Sequence, residues 1–297
     1  MEIDRNDPVI VLEGVERSFD GAPALRGLNL RVPRGGIYGF LGRNGAGKTT
    51  AIKMIAGLIR PDAGTVRVLG KDPFAFTPED RQRVGYLSEK QILLATMTVR
   101  KVVAFCAPFY PRWDGGLVER LLVGFRIDPK KKISDLSQGG QRQVAFILAL
   151  AQRPELLILD EPASTLDVVA RREFLDEMLE LVRQEGPTVF LSSHILSDIE
   201  RVADQVGIVV DGALKVSESL DNLKETVKRV RFHGFERGMV EIPLPGIFHS
   251  KRSGNEILVT ARIGDEEEVA RLARGAGAQF EIESLSLEDI FVEISRP

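Results

Sequence analysis

Short apolar runs alternate with glycine clusters and helical stretches along most of the chain. Val9 to Leu12 and Leu28 to Val32 read as strands, with an Asp20-Gly21 turn between them. Gly36 to Leu41 is a third strand-like run, ending in the cluster Gly42, Gly45 and Gly47. Within Thr49 to Ile59, the residues Ile52, Ile55, Ala56 and Ile59 recur at helical spacing, and Pro61 closes the segment. The pattern therefore predicts strand, glycine loop, helix. Thr65 to Leu69 predicts another strand. From Ile92 to about Ala151 the pattern is mostly helical, broken near Pro111 and Pro129. Leu156 to Leu159 is a continuous apolar run of the buried-strand kind. Arg171 to Glu185 predicts an amphipathic helix, and Thr188 to Leu191 and Val206 to Val210 predict strands.

The pattern simplifies near Leu220 to Lys228, where a helix is predicted to end. Beyond it, Val230 to Phe235 and Ile257 to Ile263 predict strands. Asp265 caps a helix through Arg274, closed by Gly275. Gln279 to Glu283 predicts a strand, and Ser286 with Asp289 forms a capping box before Ile290 to Ile294. This stretch reads as a small appended α+β domain. No internal repeat is present.

Composition acts mainly by exclusion. A chain of 297 residues, 43% hydrophobic and 28% charged, is ordinary for a globular protein and too apolar for a disordered one. The single cysteine, Cys106, rules out a disulfide framework and a cysteine-based zinc site. A net charge of −3 disfavours a protein that wraps nucleic acid, so no nucleic-acid partner is expected. No run approaches the roughly 18 apolar residues that span a bilayer. The longest, Val144 to Ala151, is stopped by Gln143 and Gln152. Met1 to Asp7 carries the wrong charge for a signal peptide. A cytoplasmic protein is expected, acting on a membrane only through a partner.

Two segments carry chemistry. Gly42-Arg43-Asn44-Gly45-Ala46-Gly47-Lys48-Thr49 fits G-x-x-x-x-G-K-[ST] without departure. Glycines let successive N–H groups turn inward as an anion cradle, and the next helix aims its positive end at the same point. Lys48 supplies a point charge for the β- and γ-phosphates, and the Thr49 hydroxyl can join a Mg²⁺ shell. The second segment is Leu156-Leu157-Ile158-Leu159-Asp160-Glu161-Pro162, an apolar strand ending in two carboxylates. Asp160 can hold Mg²⁺, directly or through water, and Glu161 can polarise a water for in-line attack. Taken alone, the pair could be an acidic loop after a core strand. GTPases are disfavoured, because no Asn is followed by Lys as in N-K-x-D.

The discriminating segment is Asp135-Leu136-Ser137-Gln138-Gly139-Gly140-Gln141. With it, the chain resembles the ABC transporter ATP-binding subunits from about Val9 to Leu223, in the order phosphate loop, Q-loop, signature, Walker B, D-loop and switch histidine. The resemblance implies a P-loop α/β fold: a RecA-like core, an antiparallel β subdomain and a helical subdomain at about 92–150. The expected domains are 1–223 for ATP binding and 224–297 as the accessory α+β domain. It also implies ATP and Mg²⁺ as cofactors, and head-to-tail pairing with a second ATPase subunit, identical or different. In such a pair the signature of one subunit closes over the ATP held by the other. Ser137, Gly139 and Gly140 would then meet the γ-phosphate, with Ser137 as helix cap and Gly139 allowing close backbone approach.

By the same resemblance, Ser164-Thr165-Leu166-Asp167 is the D-loop, His194 the switch histidine, and Thr50 a support for the α-phosphate. Phe19 matches the aromatic that stacks on adenine, with a core aromatic as the bland alternative. His233 and His249 match nothing. Two positions depart from the family pattern. Glu89 stands where the Q-loop glutamine belongs; a carboxylate there can still reach Mg²⁺ or the attacking water, and Gln91 is a poorer substitute. Gln138 and Gly140 stand where Gly and Gln are commoner. Phe105, Phe109, Tyr110 and Trp113 are either the helical subdomain's own core or an exposed anchor for a permease. The segments Phe109 to Asp114 and Ser286 to Phe291 resemble bacterial drug-export, antibiotic-resistance and Ytr-type subunits, whose permease is a separate chain. The expected function is therefore an ATPase driving export through a transmembrane permease, peripheral on the inner face of the membrane. The alternatives are a soluble ABC-type ATPase of DNA repair or translation, and a regulatory nucleotide sensor.

Overall fold

The computed structural model describes residues 7–90, 92–234 and 244–296. Gln91, the end of the strand predicted to reach Phe235, and Met1 to Asn6 lie outside the described residues. The chain divides into two compact units, Met1–Ser217 and Glu218–Pro297.

The first unit begins with β1 (Ile10–Phe19), β2 (Ala22–Val32) and β3 (Ile37–Gly42). The helix α1 (Lys48–Ile55) follows the glycine loop, then β4 (Ala63–Val68), α2 (Pro78–Arg81) and β5 (Val84–Leu87). Next come α3 (Val99–Cys106), α4 (Gly115–Gly124) and α5 (Gln138–Ala151). The unit continues through β6 (Leu156–Asp160), α6 (Val168–Glu185), β7 (Thr188–Ser193), α7 (Leu196–Val202), β8 (Gln205–Val210) and β9 (Ala213–Ser219).

β1, β2 and β4 form an antiparallel sheet in the order β2-β1-β4. The other six strands form a sheet ordered β5-β6-β7-β3-β8-β9, in which β5, β6, β7, β3 and β8 pair in parallel. β3, β6 and β7 are buried along their whole length. That is why each reads as an unbroken apolar run rather than an alternating one. The core between the two sheets and α1 gathers Ile10, Leu28, Phe40, Ile52, Ile55, Ile158 and Phe190. Around α4 to α6, Phe125, Phe146 and Phe174 form a ring cluster, with Phe146 and Phe174 edge to face at 4.7 Å.

The glycine-loop helix is shorter than its periodicity predicts. It ends at Ile55, because Gly57 takes a left-handed φ of +71° and turns the chain away before Ile59. The hairpin strands are longer than predicted. In the added halves the buried Val15 and Leu25 stand singly among exposed or half-buried positions, so no apolar run marks them.

The second unit starts with α8 (Leu220–Thr226), which ends two residues before the predicted end at Lys228. It continues through β10 (Val227–His233), β11 (Ile247–Ser253), β12 (Glu256–Arg262), α9 (Glu266–Gly275), β13 (Gln279–Ser284) and α10 (Leu287–Ile294). The strands form one antiparallel sheet in the order β11-β12-β10-β13. Val230, Phe232, Val259 and Ala261 pack with Val269 and Ala273 of α9. Asp265 caps α9 through the Glu267 N–H, and Ser286 caps α10 through the Asp289 N–H.

Candidate functional site

Strand register places the chemistry. In the parallel sheet Asp160 lies beside Ser192, and Ser192 beside Phe40, so β3, β6 and β7 end level with one another. The glycine loop, the carboxylate pair and His194 therefore emerge together at the carboxyl edge, where open α/β sheets hold ligands. A cavity of about 400 Å³ lies there, lined by Asn44, Gly45, Gly47, Lys48, Thr49, Thr50, Glu89, Glu161 and His194, with Ala24 and Ser164.

The loop is built for backbone presentation. Gly45 and Gly47 have φ of +84° and +99°, in the left-handed region that favours glycine. A Cβ at Gly47 would lie 2.5 Å from the Ala24 carbonyl oxygen, so β2 holds the loop against the sheet edge. No side chain caps α1, which leaves its first N–H groups to the cavity. The buried Lys48 ammonium donates to the carbonyls of Gly42 at 2.7 Å and Arg43 at 3.3 Å. Burial pulls its pKa down, opposed by the carboxylates of Glu161, Asp160 and Glu89. Gly42, Arg43 and Ala46 shape the loop but do not line the cavity.

Beneath the cavity Asp160 is 1% exposed. Its Oδ1 accepts from the Ser192 hydroxyl at 2.7 Å, while Oδ2 is buried without a hydrogen-bond partner. Burial pushes this carboxyl up, the Ser192 bond pulls it back, and Glu161 and Glu89 raise it further. The nearby Thr49 hydroxyl lowers it again. An orphaned buried carboxylate oxygen beside a hydroxyl is a hard-cation donor set. Among the described residues no group of three or more His, Cys, Asp or Glu could hold a metal unaided. A cation here would complete its shell from phosphate oxygens and water.

Glu161 has a φ of +51°, an uncommon conformation for a residue with a side chain. Its N–H points at the Ser192 carbonyl and hydroxyl oxygens, at 3.2 and 3.1 Å. Its carboxylate meets His194 Nδ1 at 2.7 Å. With Glu161 ionised, Nδ1 carries the hydrogen and donates, which fixes the ring and leaves Nε2 for another partner.

The remaining predicted residues lie apart from the cavity. Ser137 caps α5 by accepting the Gly140 N–H at 3.1 Å, and both Ser137 and Gln138 are exposed. Gly139 is buried, and a Cβ there would lie 2.7 Å from Leu166 Cδ2, so its close neighbour is the D-loop of the same chain. Phe19 is 44% exposed at the end of β1, with the Arg17 guanidinium 4.9 Å over its ring. That excludes a core role. Phe105 and Phe109 are likewise exposed, at 52% and 62%, so neither belongs to the helical core. Sequence reasoning missed Ala24, the roles of Ser164 and Ser192, and Arg142. Ser164 stood within the quoted D-loop and Ser192 two residues before His194, whereas nothing local marks Ala24 or Arg142.

The ABC transporter family model matches residues 25–164. The bacitracin transport ATP-binding protein BcrA of Bacillus licheniformis is 35% identical over 219 residues, 73% of this chain and 72% of that protein. The ABC transporter ATP-binding protein YtrB of Bacillus subtilis is 31% identical over 223 residues, covering 75% and 76% of the two chains. A solved ATP-binding subunit of an ABC transporter superposes with a TM-score of 0.65 at 28% identity, over 73% of this chain and 92% of that one. The chain belongs to the family of ABC transporter ATP-binding proteins. Its phosphate-loop fold is that of the family's ATPase cassettes.

Proposed function

We propose that the first unit hydrolyses ATP with Mg²⁺ and drives export through a separate membrane permease, to which the chain attaches on the inner face of the membrane. One observation carries the reading: a single cavity gathers a phosphate loop, a general-base candidate and its histidine partner above a buried carboxylate with a free oxygen. The names of the relatives, bacitracin transport above all, support a transporter and an exported compound of that kind.

Loop N–H groups and Lys48 hold the phosphates, with Thr50 at the α-phosphate and Phe19 stacked on adenine. Thr49, Glu89 and Asp160 would hold Mg²⁺, which neutralises charge on the β- and γ-oxygens when bound. Glu161 accepts a proton from the attacking water, and His194 orients that carboxylate. Ser137, Gly139 and Gly140 act on nucleotide bound to a second ATPase subunit. Exposure of Ser137 and Gln138, away from their own cavity, supports this head-to-tail arrangement.

The permease docks on a groove of about 630 Å³ between the α3 region and the loop after β5. Its walls include Tyr86, Ile92, Leu94, Phe105 and Phe109. Ile92 is 91% exposed, as expected of an anchor awaiting a partner.

Glu161→Gln tests the reading. Hydrolysis should fall by about 10²- to 10⁴-fold, the usual worth of a general base. ATP binding should persist, and gel filtration in ATP should show a trapped dimer. Normal turnover would refute the assignment.

A further inference from the structure

Arg142 lies one turn into α5 and is 5% exposed. Its guanidinium has five N–H donors, and all five are used. Nε donates to the Pro162 carbonyl at 2.9 Å. Nη1 donates to the carbonyls of Ser88 at 3.0 Å and Glu89 at 2.5 Å. Nη2 donates to those of Asp160 at 2.5 Å and Glu161 at 2.7 Å. Every acceptor is a main-chain oxygen, so the side chain reads backbone position rather than charge. Burial pulls the guanidinium down, and the nearby carboxylates of Asp160, Glu89 and Glu161 hold it up.

The five carbonyls come from two segments far apart in the chain. Ser88 and Glu89 form the loop after β5, whose Glu89 lines the cavity. Asp160, Glu161 and Pro162 are three consecutive residues around the left-handed Glu161. Fixing the peptide planes before and after Glu161 leaves its φ little freedom, and the carboxylate direction follows from that φ. The strain at Glu161 thus has an identifiable restraint.

We infer that Arg142 is a positioning residue for hydrolysis, a clamp that sets Glu161 and the Glu89 loop in register with the helix bearing Ser137. It touches no nucleotide and works through the backbone. Displacing α5 moves both cavity segments at once. A lysine cannot replace it, because a point charge with three donors does not match five carbonyls in the plane of one fork.

The inference rests on the hydrolytic role of Glu161 proposed above. The test measures steady-state ATPase activity, KM for ATP, affinity for a fluorescent ATP analogue and thermal melting in Arg142→Lys and Arg142→Met. Misplacing a catalytic group by about 1 Å costs on the order of 100-fold. The expected result is a kcat lowered about tenfold in Arg142→Lys and about 100-fold in Arg142→Met, with KM and analogue affinity within about threefold of wild type. Arg142→Lys keeps the charge and guards against a variant that merely fails to fold. Wild-type kcat in Arg142→Lys overturns the clamp. So does a loss that appears in KM, or one that vanishes after correction for the folded fraction. An active Glu161→Gln would sink the underlying hydrolytic reading. An inactive Glu161→Gln beside unaffected Arg142 variants would sink the clamp alone.

Discussion

At the phosphate loop, Lys48 and Asp160 are buried, Glu161 is half-buried, and each is already bonded within its own chain. At the signature turn, Ser137 and Gln138 are exposed, and the Ser137 hydroxyl accepts one backbone N–H while keeping its own hydrogen to donate. The first region is preorganised. The second has a cap, a close-packed glycine and an outward face. Under the head-to-tail pairing proposed above, a site divided in this way would tie hydrolysis to association.

Three substitutions probe that contrast, beginning with the largest effect. Lys48→Met removes charge-assisted contacts to phosphate and should weaken ATP by about 2–3 kcal/mol, roughly 30- to 150-fold, in the isolated chain. Titration with a fluorescent ATP analogue measures it. Unchanged affinity would mean that the buried half does not hold the nucleotide.

Gly139→Val sharpens the other side. The new side chain meets Leu166 Cδ2, 2.7 Å from the Cβ position, and pushes the Leu166 side chain of the D-loop out of its place against the signature turn. Turnover should drop about tenfold or more while the isolated chain binds ATP normally. Equal loss of binding would erase the distinction between the regions.

The smallest effect concerns stability. Burial raises the Asp160 pKa above its ordinary 3.8, so the folded chain binds this proton more tightly than the unfolded one. Its ionisation therefore costs stability as pH rises from about 3.8 through the folded value. Asp160→Asn removes the buried charge. Without nucleotide it should gain about 1 kcal/mol in chelator-treated melts at pH 7, while Mg²⁺-dependent turnover is lost. A lower melting temperature would show that Asp160 is satisfied by its own chain, making the preorganised half a structural ion network instead.

Legibility followed burial. The buried strands β3, β6 and β7 were visible as apolar runs, and the glycine loop as a spacing. β11 was not, because its sequence, Ile247-Phe248-His249-Ser250-Lys251-Arg252-Ser253, is mostly polar and gains its strand state from pairing with β12. β9 was missed for the same reason, and the outer halves of β1 and β2 because their buried Val15 and Leu25 stand singly. Phe19 was legible as a motif position, yet its exposure was not, since an aromatic before a turn fits either side of a sheet.

Residue order by itself determined the phosphate loop, the carboxylate pair, the signature turn and the helix caps, because each depends on neighbours a few positions away. Only the tertiary structure brought Asp160 beside Ser192, set His194 on Glu161, and wrapped five distant carbonyls around Arg142. Those contacts join segments far apart in the chain. A hydrogen bond between such segments leaves no periodicity or spacing in the sequence; it exists only once the sheet has aligned the strand ends.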